Sequence, residues 1–180
     1  MVLVQFFMFY LLKDQSWMVV IIAAYCFGGV INHSLMLAIH EIAHNLAFGH
    51  ARPMANKILG MFANLPIGLP FSVTFKFYHL EHHRYQGDEK LDTDIPTYVE
   101  AKLFCTTFGK FVWLVLQPLF YAFRPVVTYP KPVTRLELLN TAIQMSFNVF
   151  IYYYCGTYPA VQLIFSLFIV SHLRAGCFIG

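Results

Sequence analysis

Between Trp17 and about Leu37 the chain reads WMVVIIAAYCFGGVINHSLML, without a single Asp, Glu, Lys or Arg. Coiled as a helix, such a run extends roughly 30 Å, the thickness of a bilayer's hydrocarbon core, and a backbone placed there must satisfy its own hydrogen bonds. Composition extends the constraint to the whole chain. Of 180 residues, 58% are hydrophobic and only 12% charged, and the mean hydropathy is +0.59, whereas soluble domains carry about 25% charged residues. An integral membrane protein of the all-α class is expected. The formal charge of +3 is small and dispersed, no basic run alternates with aromatics, and nucleic-acid binding is set aside.

Residues 1–12 (MVLVQFFMFYLL) would make a helix about 18 Å long, too short to span, so this first segment is expected to be partial. The polar turn Lys13-Asp14-Gln15 then joins it to the apolar run 17–37 as a helical hairpin, with Trp17 near an interface. The connection 45–137 is expected to be mainly cytosolic or interfacial, because Arg52, Lys57, Lys76, Arg84, Lys90 and Lys102 fall within its first part. Inside it, MFANLPIGLPFSVTF is apolar but broken by Pro66, Gly68 and Pro70, which suits an interfacial or re-entrant element. The stretch 103–123, interrupted by Lys110 and Pro118, is read as a helix lying at the interface rather than a span. After the basic linker RPVVTYPKPVTR, residues 138–154 form a span, Gly156–Pro159 a tight turn, and 160–171 a partial return. The fold expected is thus a multi-span helical membrane protein, incomplete at both ends. Cys26, Cys105, Cys155 and Cys177 lie far apart with no C-x-x-C pair, as buried thiols would.

The motif HEIAHNLAFGH opens on His40-Glu41-Ile42-Ala43-His44, which fits the H-E-x-x-H pattern of zinc proteases. Two histidines four apart project from one helical face, about 6 Å apart, and suit a single zinc, with Glu41 as base, or another metal. A second cluster, YHLEHHRYQGDEKLDTDIPT, places His79, His82 and His83 at i, i+3 and i+4, again on one face. Five histidines in two clusters exceed what one zinc requires, so two metals are indicated, and imidazole also suits iron.

The pair HEIAH and HLEHH, followed by DTDIP, resembles the membrane-bound fatty-acyl and sphingolipid desaturase and hydroxylase superfamily. The longer segments INHSLMLAIHEIAHNLAFG, GMFANLPIGLPFSVTFK, DTDIPT and QPLFYAFRP are similar to its sphingolipid delta-4 desaturase family, from about Met1 to about Ser171. That resemblance implies a non-haem di-iron centre, two iron ions held by His40, His44, His79, His82 and His83, facing the cytosol from a multi-pass protein of the endoplasmic-reticulum membrane. It implies O2 as co-substrate, electrons from NADH through cytochrome b5 and its reductase, and a trans 4,5 double bond introduced into dihydroceramide during ceramide synthesis. The chemistry fits, since an unactivated methylene yields hydrogen only to an oxidant that no side chain provides. An alternative is hydroxylation at C4 of the same lipid.

Glu41 and Glu81 are read as carboxylates that orient imidazoles, or as plain solvated side chains. His33 lies two helical turns from His40 on the same face, about 10 Å deeper. Asn32 and His33 therefore either line a substrate cavity or make a helix-packing hydrogen bond. Asp92 and Asp94 match the family pattern, yet a loop cap or surface ion pair explains them equally well. The family's third histidine box, H-x-x-H-H, is not found after His83, where His172 is the one remaining histidine, and the tail SHLRAGCFIG departs from the family. The chain is on this reading a truncated piece, inactive alone or a non-catalytic membrane protein.

Overall fold

The computed structural model describes residues 1–156, and all of their regular structure is helical. The expected return at 160–171, with His172 and Cys177, lies outside the described residues. In chain order the helices are α1 (Val2–Leu12), α2 (Trp17–Ala23), α3 (Gly29–Ala43), α4 (Pro53–Asn64), α5 (Ser72–Arg84), α6 (Tyr98–Leu103), α7 (Thr107–Thr128) and α8 (Arg135–Cys155). A π-helical turn, Ala24–Gly28, fuses α2 to α3. The resulting rod, Trp17–Ala43, is 27 residues long and, among the described residues, is the helix long and apolar enough to cross a membrane by itself. By internal contacts the chain forms two units, residues 1–76 with 133–156 and residues 77–132, the division falling inside α5.

The first unit buries several polar side chains beside its apolar cluster and leaves many large apolar ones open. Gln5, Asn32, Asn64 and Gln144 have no exposed surface and Asn140 has 1%, while Leu3, Phe7, Tyr10, Met18, Ile22 and Val30 are open. Such a distribution suits a hydrocarbon solvent, in which outward apolar groups are at no disadvantage and polar ones turn inward. On α1 the buried residues Val2, Gln5, Phe9 and Leu12 recur at intervals of three and four, the spacing of one helical face. Val2 joins Leu35, Ile39, Ile42, Ala63 and Ile67 in the main apolar cluster, and Phe9 packs with Ile151.

The proline-broken segment makes a sharp reversal. α4 runs into a single 3-10 turn, Leu65–Ile67, Gly68 adopts a left-handed φ of 84°, and α5 departs from the axis of the preceding helix by 113°, the geometry of a broken span or a re-entrant loop. The break frees backbone groups that hydrocarbon cannot satisfy. A polar stripe on α8 meets them. Gln144 Nε2 donates to the Leu65 carbonyl at 3.0 Å, Asn148 Nδ2 donates to the Gly68 carbonyl at 2.9 Å, and Asn64 Nδ2 donates to Gln144 Oε1 at 3.0 Å. Asn64 Oδ1 in turn accepts from the Phe71 amide. The start of α8 is fixed by a capping box in which Thr134 and Glu137 satisfy each other's amides at 3.3 and 2.7 Å.

In the second unit, Thr97 caps α6 and Thr106 caps α7 through their hydroxyl oxygens. Of the stretch expected as one interfacial helix over 103–123, Leu103 ends α6 and 107–123 lie in α7, which bends by 82° between Gln117 and Leu119, the geometry of a broken span or a re-entrant loop; Pro118, lacking an amide hydrogen, accounts for the bend. Phe108, Phe111, Phe123 and Val127 on α7 are exposed.

Replacing Gln144 by Leu should leave the Asn64 amide and the Leu65 carbonyl buried without partners. Each such group costs about 1–3 kcal/mol, so the thermal midpoint of the detergent-solubilised full-length protein should fall clearly. An unchanged midpoint would mean that water reaches the break and does the same work.

Candidate metal centre

The first histidine pair sits on the last turn of α3, and the way that helix ends determines its setting. The amide of Asn45 donates to the Ile42 carbonyl at 2.9 Å and that of Leu46 to the Glu41 carbonyl at 3.2 Å, while Asn45 has a positive φ of 62°. This is a Schellman closure with asparagine in the left-handed position, the residue after glycine that tolerates it best. His44 is the C-cap, and its ring centroid lies 5.1 Å from that of His40. Both rings are half-buried, with Phe75 packed 6.3 Å from His40. The following loop folds around Asn56, which is fully buried, accepts from the Phe48 amide, and donates to the Gly49 and Arg52 carbonyls. Lys76 Nζ donates to Asn45 Oδ1.

The second set occupies the last two turns of α5. His79 Nε2 and His83 Nε2 are 3.1 Å apart, with ring centroids at 4.5 Å, and His82 lies 5.5 Å from His83 between centroids. Two nitrogens bound to one ion at about 2.1 Å, at angles from square to tetrahedral, are roughly 3.0–3.4 Å apart, so the His79–His83 separation fits a shared metal. His82 has a different environment. Its Nδ1 donates at 2.8 Å to Asp92 Oδ1 and lies 3.9 Å from Asp94 Oδ2, so Nε2 is the ring nitrogen that could bind a metal.

Asp92 is therefore neither a plain cap nor a surface ion pair. It is 3% exposed, and besides His82 it accepts from the amides of Gly87 at 2.8 Å and Asp94 at 2.9 Å. Burial alone would raise its carboxyl, but those hydrogen bonds, together with the one from His82, hold it below the usual carboxylate range. The loop behind it is anchored in turn. Arg124 grips Glu100 through Nε to Oε1 at 2.9 Å and Nη2 to Oε2 at 2.6 Å, and its Nη1 donates to the carbonyls of Thr93 and Asp94, both at 3.2 Å. Trp113 Nε1 donates to Glu100 Oε2 at 3.0 Å. Burial would raise the Glu100 carboxyl, yet the hydrogen bonds from Arg124, Trp113 and Thr97 and the charge of Arg124 lower it.

The surroundings of Glu41 and Glu81 bear on both of their readings, orienting carboxylate or solvated side chain. Glu81 pairs with Lys131, whose ammonium also lies over the Tyr78 ring at 4.5 Å, and Glu41 is exposed. A carboxylate that does bond a ring nitrogen of these histidines is that of Asp92. Asn32 is fully buried and His33 half-buried, one helical step apart. The signal for Arg124 was available in FYAFRPVV, a lone charge in an apolar run, which must find a partner when buried.

Helix-borne imidazoles, one of them oriented by a buried carboxylate, in a chain with a membrane-length apolar helix, define a histidine-rich candidate metal centre of the all-α class. The profile of the fatty acid desaturase family matches residues 15–179, and the chain belongs to that family. It is 61% identical over its whole length to the sphingolipid delta(4)-desaturase DES1 of Drosophila melanogaster, and 56% identical over 91% of its length to that of Homo sapiens. A Caenorhabditis elegans protein, whose name pairs sphingolipid delta(4)-desaturase with C4-monooxygenase, is 49% identical over the whole chain. The chain spans about half the length of these curated relatives, 57%, 51% and 50% respectively. No solved structure matches it.

Because the left-handed Asn45 closes α3 immediately after His44, Asn45→Gly should preserve stability. Asn45→Val should lower it by about 1–2 kcal/mol in thermal unfolding of the full-length protein. Equal stability of the two variants would show that the closure is not what holds the first pair.

Proposed function

We propose that the protein is a sphingolipid delta-4 desaturase, and that His40, His44, His79, His82 and His83 supply part of the ligand set of a di-iron centre. The observation that carries this reading is the spacing within each set: the His40 and His44 rings lie 5.1 Å apart at the end of α3, and His79 Nε2 and His83 Nε2 are 3.1 Å apart on α5. His82, held through Nδ1 by Asp92, adds a fifth imidazole whose Nε2 is the nitrogen for a metal. Neutral imidazole suits iron, and the absence of cysteine ligands from the set argues against an iron–sulfur cluster. The names of the relatives support the lipid class.

Iron supplies the oxidising power for breaking unactivated C–H bonds. O2 takes four electrons, two from the –CH2–CH2– of the lipid and two from NADH by way of cytochrome b5 and its reductase, and leaves as two molecules of water. The chain's own contribution is placement. α3 and α5 present imidazoles from rigid helical turns, and Asp92 fixes the direction of His82. Deeper along Trp17–Ala43, the buried Asn32 and half-buried His33 either face the lipid's path or make a helix-packing hydrogen bond. In this reading the protein is multi-pass, lies in the endoplasmic-reticulum membrane, and has its histidines on the cytosolic side, as the basic residues of 45–104 favour. The C4-monooxygenase in the name of the nematode relative favours one second reading, hydroxylation at the same position.

In the full-length protein, replacing any of His40, His44, His79, His82 or His83 by Ala should abolish conversion of labelled dihydroceramide by microsomes, while Glu41→Gln should retain measurable activity. Turnover near wild type would remove that histidine from the ligand set, and a 4-hydroxylated product would select the second reading. Metal analysis of purified full-length protein should give two irons per chain. One zinc, with peptide cleavage lost in Glu41→Gln, would replace this proposal by a protease.

A further inference from the structure

We propose that Arg124 and Glu100 are positioning residues for His82, acting through the loop that carries Asp92. This inference rests on the reading of His82 as an iron ligand. The connection is continuous and lies within one unit of the chain. Asp92 accepts from His82 Nδ1, and the next two peptide carbonyls, those of Thr93 and Asp94, both accept from Arg124 Nη1. The remaining donors of that guanidinium engage Glu100, whose own helix begins at the cap Thr97. Arg124 and Glu100 are 4% and 8% exposed.

The argument for positioning, over plain stabilisation, comes from how the guanidinium is used. A buried ion pair is on balance no more stabilising than a well-packed apolar pair of similar volume. What arginine adds is a planar fork with donors in fixed directions. Here one edge of the fork meets a carboxylate and the other meets two successive carbonyls directly after the residue that orients the imidazole. Lysine, with one ammonium, cannot reproduce both edges. The loop from Gly87 to Pro96 has no regular secondary structure, so the direction of the Asp92 carboxylate depends on contacts of this kind. Its own two amide bonds, from Gly87 and Asp94, fix the carboxylate within the loop; Arg124 fixes the loop against α6 and α7.

The test uses full-length holoprotein carrying Arg124→Lys, Glu100→Gln, the apolar pair Glu100→Leu with Arg124→Met, and Asp92→Ala as reference. Iron remaining per folded chain is measured during titration with a chelator, alongside the thermal midpoint of iron-free protein. Partners that orient a metal-bound imidazole contribute about 10–100-fold to affinity. Arg124→Lys and the apolar pair should therefore release one of two irons at about 10–100-fold lower chelator concentration, with the iron-free midpoint of the apolar pair close to wild type. Combining Arg124→Lys with Asp92→Ala should weaken iron retention no further than Asp92→Ala alone, because both act through His82.

Wild-type iron retention in the clamp variants, beside loss in Asp92→Ala, overturns the inference and leaves the proposed function standing. Additive losses, or losses that track the iron-free midpoint, make the clamp a stabilising element only and also overturn it, as does failure of every clamp variant to fold. Absence of iron from the wild-type protein would instead defeat the proposed function, and this inference with it.

Discussion

An apolar chain that places Pro66, Gly68 and Pro70 within seven residues of Asn64 releases backbone carbonyls from helical pairing, and the rest of the first unit depends on where those carbonyls find hydrogen. In hydrocarbon an unpaired peptide group costs several kcal/mol, more than the burial of a single leucine returns. The groups that answer, Gln144 and Asn148, come from roughly eighty positions later in the chain, on a helix that surrenders part of its own hydrophobicity to carry them. The reversal lets α5 begin at Ser72 and deliver three histidines within one continuous helix. A polar stripe that weakens α8 as an independent span thus makes the histidine-bearing helix possible.

The two histidine sets are held by different means. His40 and His44 owe their setting to backbone geometry, a helix closed by a left-handed asparagine. His82 owes its orientation to a side chain in an irregular loop, itself fixed by a buried ion pair. Backbone closure is local and inexpensive in contacts. The carboxylate anchor needs a network extending over α6 and α7, and so couples the chemistry of one imidazole to the packing of two further helices.

Much of this was legible before any coordinates. The i, i+3 and i+4 spacings placed the histidines on helical faces, and the Pro-Gly-Pro break announced an interfacial or re-entrant element; the capping box at Thr134 and Glu137, which starts α8 at Arg135 where the sequence reading began it at 138, went unread. These are local signals, decided by residues within a turn or two of one another. Asp92 was not legible, because its role depends on a loop that bends back over ten residues to reach His82, and Asp is equally at home in a turn. The sequence left Glu81 between two readings, and its pairing with Lys131 depends on a residue fifty positions away that no local pattern names. Arg124 could have been flagged as a charge requiring a partner, but nothing in the sequence names Glu100 as that partner.

The π-helical turn at Ala24–Gly28 separates length from register in the Trp17–Ala43 rod. Its hydrogen bonds close one residue later than those of an α turn, so it houses a residue that a regular helix would not, and the side chains on either side are offset by about 100°. The outward stripe begun by Met18 and Ile22 and the face that ends at His40 are consequently kept in two independent angular frames. Gain or loss of one residue within this wide turn would re-aim Asn32 and His33 together with His40 and His44, as a block, while Met18 and Ile22 kept their direction. The turn is an indexing joint, through which inheritance can adjust the angle of the lower half of the helix without rebuilding the upper half.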